Sequence, residues 1–216
     1  MKSYRLPWWS LLPLLLVGCV TTRTVELEYL PGKASPVSAS PVRVAVIPFE
    51  DTTWNGQENN QWVGQASLYG EKLLGTASIS QLITRSVKKE IEAGGDELST
   101  DEIYTIQIGR KDIKTLLRKI PYTQVDYLVG GAVSHFFVHQ KMRFVADVEI
   151  EVFIIRPSTG DTVWAKKIGH REERIPFSPD TFTQSSERVL NNLLEKTIRD
   201  LFRGSDFRLF LIPDKK

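Results

Sequence analysis

Met142-Arg143-Phe144-Val145-Ala146-Asp147-Val148-Glu149-Ile150-Glu151-Val152-Phe153-Ile154 alternates cleanly. Met142, Phe144, Ala146, Val148, Ile150, Val152 and Ile154 share one face, while Arg143, Asp147, Glu149 and Glu151 take the other. Side chains of a strand alternate between faces, so this is the pattern of a half-buried antiparallel strand. Its surroundings extend the sheet. Residues 125–139, rich in Val, Phe and Tyr, read as a long strand just before it. After it, Ser158-Thr159-Gly160-Asp161 supplies a turn into a further strand over 162–170. Two hairpins in series are therefore expected.

Upstream, Val42-Arg43-Val44-Ala45-Val46-Ile47 is a β-branched run ended by Pro48-Phe49 and reads as a buried strand. Residues 50–65 read as a polar loop, and 67–74 as an early helical segment broken near Gly75. Ile79, Leu82, Ile83, Val87 and Ile91 recur at helical spacing until Gly94-Gly95 stops them. A short strand is expected over 103–108. A helix marked by Ile113, Leu116, Leu117 and Ile120 ends at Pro121. The last long helix carries the stripe Phe182, Val189, Leu190, Leu193, Leu194, Ile198, Leu201 and Phe202, with Ser178, Pro179 and Asp180 at its start. Gly204 ends it, and the apolar tail over 207–212 is expected to dock back.

The strand near residue 44 and the strand near residue 128 are joined through helices. A right-handed crossover would pair them in parallel. The expected fold is thus α/β (α+β): a single domain over 43–216, with a mixed sheet of one parallel core pair plus antiparallel hairpins and helices packed on it.

The first residues have another character. Lys2 and Arg5 precede the apolar run from Leu11 to Val17, and Gly18 stands before Cys19. A positive start, a short apolar run and a small residue describe a secretory signal peptide over 1–18. The run is too short to span a bilayer, which takes about 20 residues. Leu16-Val17-Gly18-Cys19 resembles the lipobox of bacterial lipoproteins. That resemblance implies cleavage between Gly18 and Cys19 and a diacylglyceryl group on the Cys19 thiol.

Cys19 is the single cysteine of the chain, so no internal disulfide can form. A thioether-linked lipid would remove a free thiol from an oxidising compartment. Two or more acyl chains give stable anchoring. Residues 19–42, with the Pro/Ser/Ala-rich stretch 31–41, read as a tether reaching up to about 75 Å when extended. The alternation Val25-Glu26-Leu27-Glu28-Tyr29 offers an edge strand as the alternative.

Lys2 and Arg5 account for the excess of 28 basic over 26 acidic side chains, so the chain after residue 18 is balanced. A nucleic-acid partner would want a net basic face, and none is expected.

Three further motifs carry a family resemblance. Val44-Ala45-Val46-Ile47-Pro48-Phe49-Glu50-Asp51 is similar to the first strand of envelope lipoproteins of the CsgG/LpoB/YajG-like superfamily. Some of these share the fold of the TolB amino-terminal domain. Val125-Asp126-Tyr127-Leu128-Val129-Gly130-Gly131 resembles their Asp-Tyr strand start, and Ser158-Thr159-Gly160-Asp161-Thr162-Val163-Trp164 their Thr-Gly hairpin with its tryptophan. The resemblance implies binding and assembly roles, with a further envelope protein as partner or self-association into a homo-oligomer. No long amphipathic hairpins of the pore-forming branch are evident. Val20 stands where an inner-membrane retention aspartate would follow the cysteine. That points to the periplasmic face of the outer membrane.

No nucleophile motif, phosphate loop or dinucleotide fingerprint is present, and no catalytic residue, cofactor or metal is expected. His135 and His139 share a strand face but lack a third ligand. Gly130-Gly131 reads as close packing or a bend. Asp147, Glu149 and Glu151 read as a solvated face or part of an interface. The segment 51–62 joins two tryptophans to amides, and Trp54, Asn55, Gln57 and Trp62 are the candidate interface. Two other classes remain open: a subunit of a secretion or transport channel, and a protein that binds or cleaves cell-wall glycan.

Overall fold

A computed structural model of the chain describes residues 20–31, 43–66, 70–93, 97–98, 125–175 and 181–202. The expected strand over 103–108, the helix near 113–120, the tail over 207–212 and residues 1–19 lie outside them. So do Ser178, Pro179 and Asp180.

Nine strands and three helices are present among the described residues: β1 (Thr21–Val25), β2 (Arg43–Val46), β3 (Glu50–Asp51), α1 (Trp54–Glu58), β4 (Trp62–Ala66), β5 (Glu71–Gly75), α2 (Ile79–Ala93), β6 (Glu97–Leu98), β7 (Tyr127–Gln140), β8 (Phe144–Arg156), β9 (Asp161–Arg174) and α3 (Phe182–Phe202). They form a single mixed sheet that is not closed, so the expected α+β class holds.

The parallel core pair is β2 with β7, in the register Val44↔Tyr127, Ala45↔Leu128 and Val46↔Val129. The two hairpins are β7–β8 and β8–β9, both antiparallel. β7 is the spine. On one side it pairs in turn with β2, β3 and β4, and on the other with β8. At the start of the spine, Asp126 accepts from the Arg43 backbone N–H at 2.9 Å and from its guanidinium at 3.1 Å. Burial pushes the Asp126 carboxyl up, but the Arg43 hydrogen bonds and charge outweigh it and hold the group below its ordinary value.

One face of the sheet is covered. Alternate residues of β8 from Phe144 to Ile154 pack with Val129, Val133, Phe136 and Val138 of β7 beneath α2 and α3. The helical stripes deliver Ile79, Leu82, Ile83, Val87 and Ile91 from α2, and Val189 through Phe202 from α3, as their spacing predicts. Met142 departs from the expected strand: β8 begins at Phe144, and Met142 sits in the turn, exposed. Polar stitches fix α2 to the end of β2. Thr84 Oγ1 accepts from Phe49 N at 3.0 Å, and Ser80 Oγ donates to Phe49 O. Gly131 belongs to this tight layer, since a Cβ there would meet the Glu151 carbonyl oxygen at 2.0 Å.

Four expectations are corrected. First, the tether. Thr21–Val25 is not a linker but strand β1, parallel to β5. Residues 26–29 follow it between α2 and α3. Glu28 N donates to Asn191 Oδ1 at 3.0 Å, Asn191 Nδ2 donates to Glu26 O at 3.2 Å, and Lys89 Nζ donates to Tyr29 O at 3.2 Å. Val25, Leu27 and Tyr29 are buried while Glu26 and Glu28 face out, so the alternation in this stretch is real although the strand itself ends at Val25. Residues 20–31 therefore pack as part of the domain, ahead of the expected boundary at 43. The Pro/Ser-rich composition of 31–41 drew attention away from the short apolar alternation before it.

Second, 71–74 is not helical but belongs to β5, and residues 67–69 lie outside the described residues. β4 and β5 form an antiparallel pair, and Gly70, just before β5, has φ 61°. Lys72-Leu73-Leu74 has helix-favouring composition, and pairing with β4 and β1 overrides that weak preference. Third, 50–65 is not an unstructured loop but contains β3, α1 and β4. Fourth, α3 starts at Phe182 with a reciprocal cap. Thr181 Oγ1 accepts from Gln184 N at 3.3 Å and Gln184 Oε1 accepts from Thr181 N at 3.1 Å. This Thr-x-x-Gln capping box lies beyond Ser178.

Candidate functional site

Among the described residues, the opposite face of the sheet is covered at one end, where Ala45, Ile47, Val125, Leu128, Phe153 and Ile155 form a small apolar cluster. Further along, no described element packs over this face, termed the open face. Cross-strand register builds it row by row: His135 beside Glu149, Phe137 beside Asp147 and then Arg171, His139 beside Val145 and then Glu173. A bulge at Val133/His135 changes the local register of β7, after which His135, Phe137 and His139 share the open face.

Trp54 closes the end of this face from α1. The chain arrives there because Asp51 holds the start of α1. Asp51 Oδ1 accepts from Thr53 N at 3.0 Å and from Thr53 Oγ1 at 2.6 Å, and Thr53 Oγ1 accepts from Gly56 N at 2.9 Å as the helix cap. Gly56 is needed for this approach, since a Cβ would fall 2.2 Å from Asp51 Oδ2.

The four residues of the expected interface separate into two roles. Trp54 is 52% exposed and Gln57 is exposed. Asn55 and Trp62 are buried. Asn55 Nδ2 donates to the Trp62 carbonyl, and Trp62 Nε1 donates to Gly64 O at 2.8 Å. Three rings meet edge to face: Trp54 with Trp62 at 5.2 Å, Trp54 with Phe137 at 4.8 Å and Trp62 with Phe137 at 5.5 Å. The Lys72 ammonium caps Trp62 at 4.4 Å from the ring centre. Trp62 and Asn55 thus hold Trp54 from beneath, and Trp54 keeps half its surface for contact. Edge-to-face pairs of this kind contribute about 0.5–1.5 kcal/mol each.

Around Trp54 lies a groove of about 400 Å³, lined by Gln65, His135, Phe137, His139, Lys141, Val145, Asp147 and Arg171. Its floor is apolar and its margins carry both charges. Burial lowers the His139 pKa first, and the charges of Lys141 and Arg171 lower it further, which favours the neutral ring. Glu149 accepts from Lys167 Nζ at 2.7 Å and from Ser134 Oγ at 2.5 Å, with His135 Nδ1 at 3.2 Å. The Lys167 and Ser134 hydrogen bonds pull its pKa to about 2 against the smaller opposing effect of burial. Glu149 is therefore a fixed carboxylate with no proton to donate near neutral pH. His170 points the other way, to Asp200 of α3 at 2.9 Å. No group of three or more His, Cys, Asp or Glu among the described residues is placed to hold a metal ion.

Sequence reading treated Trp54, the histidine pair and the acidic strand separately, and the sheet brings them to one face. It did not find Phe137, Gln65, Lys141 or Arg171. Phe137 was the accessible one, since it lies two residues from His135 and from His139.

No protein-family model and no curated protein matches the sequence. Solved structures do. A Xanthomonas campestris protein of the DUF330 family aligns over 84% of this chain and 91% of its own, with 13% identity and a TM-score of 0.56. That likeness is one of fold. Two weaker ones are the LpoB C-terminal domain from Salmonella enterica, at 11% identity over 63% and 87% of the two chains with a TM-score of 0.36, and a Neisseria meningitidis lipoprotein, at 12% identity over 72% and 97% with a TM-score of 0.31.

Proposed function

We propose that this chain is a noncatalytic lipoprotein of the bacterial envelope, cut before Cys19, anchored by lipid on that cysteine, and engaged with another envelope protein through the open face of its sheet. The observation that carries the binding reading is the half-exposed Trp54, braced by Trp62 and Phe137 at the end of an uncovered, mixed-charge groove. Rigid aromatic anchors beside apolar floors, ringed by polar groups, are what protein interfaces use as their energetic centres. The envelope location rests on the lipobox at residues 16–19, and Val20 after the cysteine supports the periplasmic face of the outer membrane. The finer likeness to the CsgG/LpoB/YajG-like superfamily rests on the three sequence motifs alone.

In the glycan-cleaving alternative Glu149 could not be the general acid, because its proton is lost far below neutral pH. The test is capture of the partner from solubilised membranes by the intact lipoprotein. Trp54→Ala is expected to lower capture at least about tenfold, the effect of losing an interface centre. Gln57→Ala is expected to change it little. Equal capture by Trp54→Ala and the unaltered protein would remove the groove from the interface. Cys19→Ala is expected to abolish lipid labelling and release the exported protein from membranes.

A further inference from the structure

Strand register collects one end of the molecule into a line. Thr21 pairs with Glu71, Glu71 with Ala66, Ala66 with Gln140, Gln140 with Phe144, and Phe144 with Arg174. The row crosses six strands, which at about 4.8 Å per strand spans roughly 24 Å. Val20 precedes this row, the turn 141–143 closes it between β7 and β8, and Ile175 follows it from β9.

Five large apolar side chains are exposed among the described residues, and three of them lie here: Val20 at 58%, Met142 at 89% and Ile175 at 67%. The charges beside them are mostly closed on themselves, Arg143 with Glu173 and Arg174 with Glu172. Among the described residues of this end, Lys141 is an exposed cation outside these two pairs. Cys19 is joined directly to Val20, so any lipid it carries sits two residues, or at most about 7 Å of chain, from the start of this row.

We infer that this end of the domain is a membrane-contacting edge, in which Met142 and Ile175 enter the interfacial region of the bilayer beside the lipid on Cys19. This rests on the proposed anchor, which brings the bilayer to the row. The occupant is a lipid surface because the chain allows no slack: β1 starts at Thr21, two residues after the lipidated position. An anchor at one end of the row and apolar tips further along it hold the sheet upright, with strands along the membrane normal. The β8–β9 turn then stands away from the membrane by the length of β8, about 40 Å for thirteen residues. Because the arginines are paired, insertion is apolar in character and depends weakly on anionic lipid.

Cys19 is the only cysteine, and lipid would block its thiol, so a new cysteine can be labelled alone. Full-length Met142→Cys, Ile175→Cys and Thr159→Cys, purified from membranes, carry an environment-sensitive fluorophore. Each is reconstituted into vesicles of phosphatidylethanolamine and phosphatidylglycerol whose chains are brominated. Lipid on Cys19 is read separately by mass of the amino-terminal peptide. The expected result is lipid on Cys19, with several-fold stronger quenching at 142 and 175 than at 159. Lipid on Cys19 with equal quenching at all three sites overturns the docking and leaves the anchor. An unmodified Cys19 overturns the anchor, and the docking with it.

Discussion

The two faces of the sheet are made from the same strands and obey different rules. On β8, Phe144 through Ile154 at even positions are buried under α2 and α3, and Asp147, Glu149 and Glu151 at odd positions stay accessible on the other face. The covered face is interchangeable apolar volume held at high density. The open face is a set of particular groups whose partners can be named. Stability should live on the first and recognition on the second.

The largest expected effect tests this division directly. Ile150 is fully buried in the centre of β8, and Ile150→Ala should cost about 2–5 kcal/mol in urea unfolding. Asp147→Ala, three residues away on the open face, should stay within about 0.5 kcal/mol. Similar losses at both would erase the distinction. Next is Gly131→Ala, where the added methyl meets a backbone oxygen that cannot swing aside. A loss of about 1–3 kcal/mol is expected in the same assay.

Smaller again is the acid response of Glu149. Its pKa is depressed from 4.5 to about 2, so its contribution to stability is present above pH 4.5 and lost as pH falls toward 2. Glu149→Gln should flatten the fall in stability across that window, by no more than about 1 kcal/mol given its partial exposure. An unchanged pH profile would show that the Lys167 and Ser134 contacts add nothing in solution. Smallest is Arg171→Ala, where the ion pair with Glu173 is long at 3.9 Å and exposed, and under about 0.5 kcal/mol is expected.

The covered face was legible in the sequence because burial leaves periodicity. The alternation of 144–154 and the stripes of α2 and α3 are local signals, and the apolar residues they named are buried apart from Phe182, which is half-buried at the start of α3. The open face was only half legible. Trp54, His135, His139 and Asp147 were visible as residue types, but their assembly depends on register between strands and on a bulge in β7, which no local window contains. Asn55 and Trp62 looked like surface residues because they are polar or amphipathic. They are buried because their hydrogen bonds are satisfied by carbonyls that only the fold supplies. β1 was missed for a related reason. Thr21-Thr22-Arg23-Thr24 has no apolar period, and β5 rather than composition makes it a strand.

The spine strand β7 also sets an order of events for the chain as it folds. Its pairings with β8, and those of β8 with β9, join neighbours through short turns, and such local contacts close quickly. Its other edge must wait for β2, β3 and β4, whose partners lie about eighty residues along the chain, as with Ala45↔Leu128. Contacts of that separation are slow to form, and an unfilled strand edge is a place where other chains pair. Until residues 43–66 are laid down, fourteen residues of apolar strand stand with one edge bare. A newly made chain is at its most vulnerable in that interval, and a chaperone would find its client there.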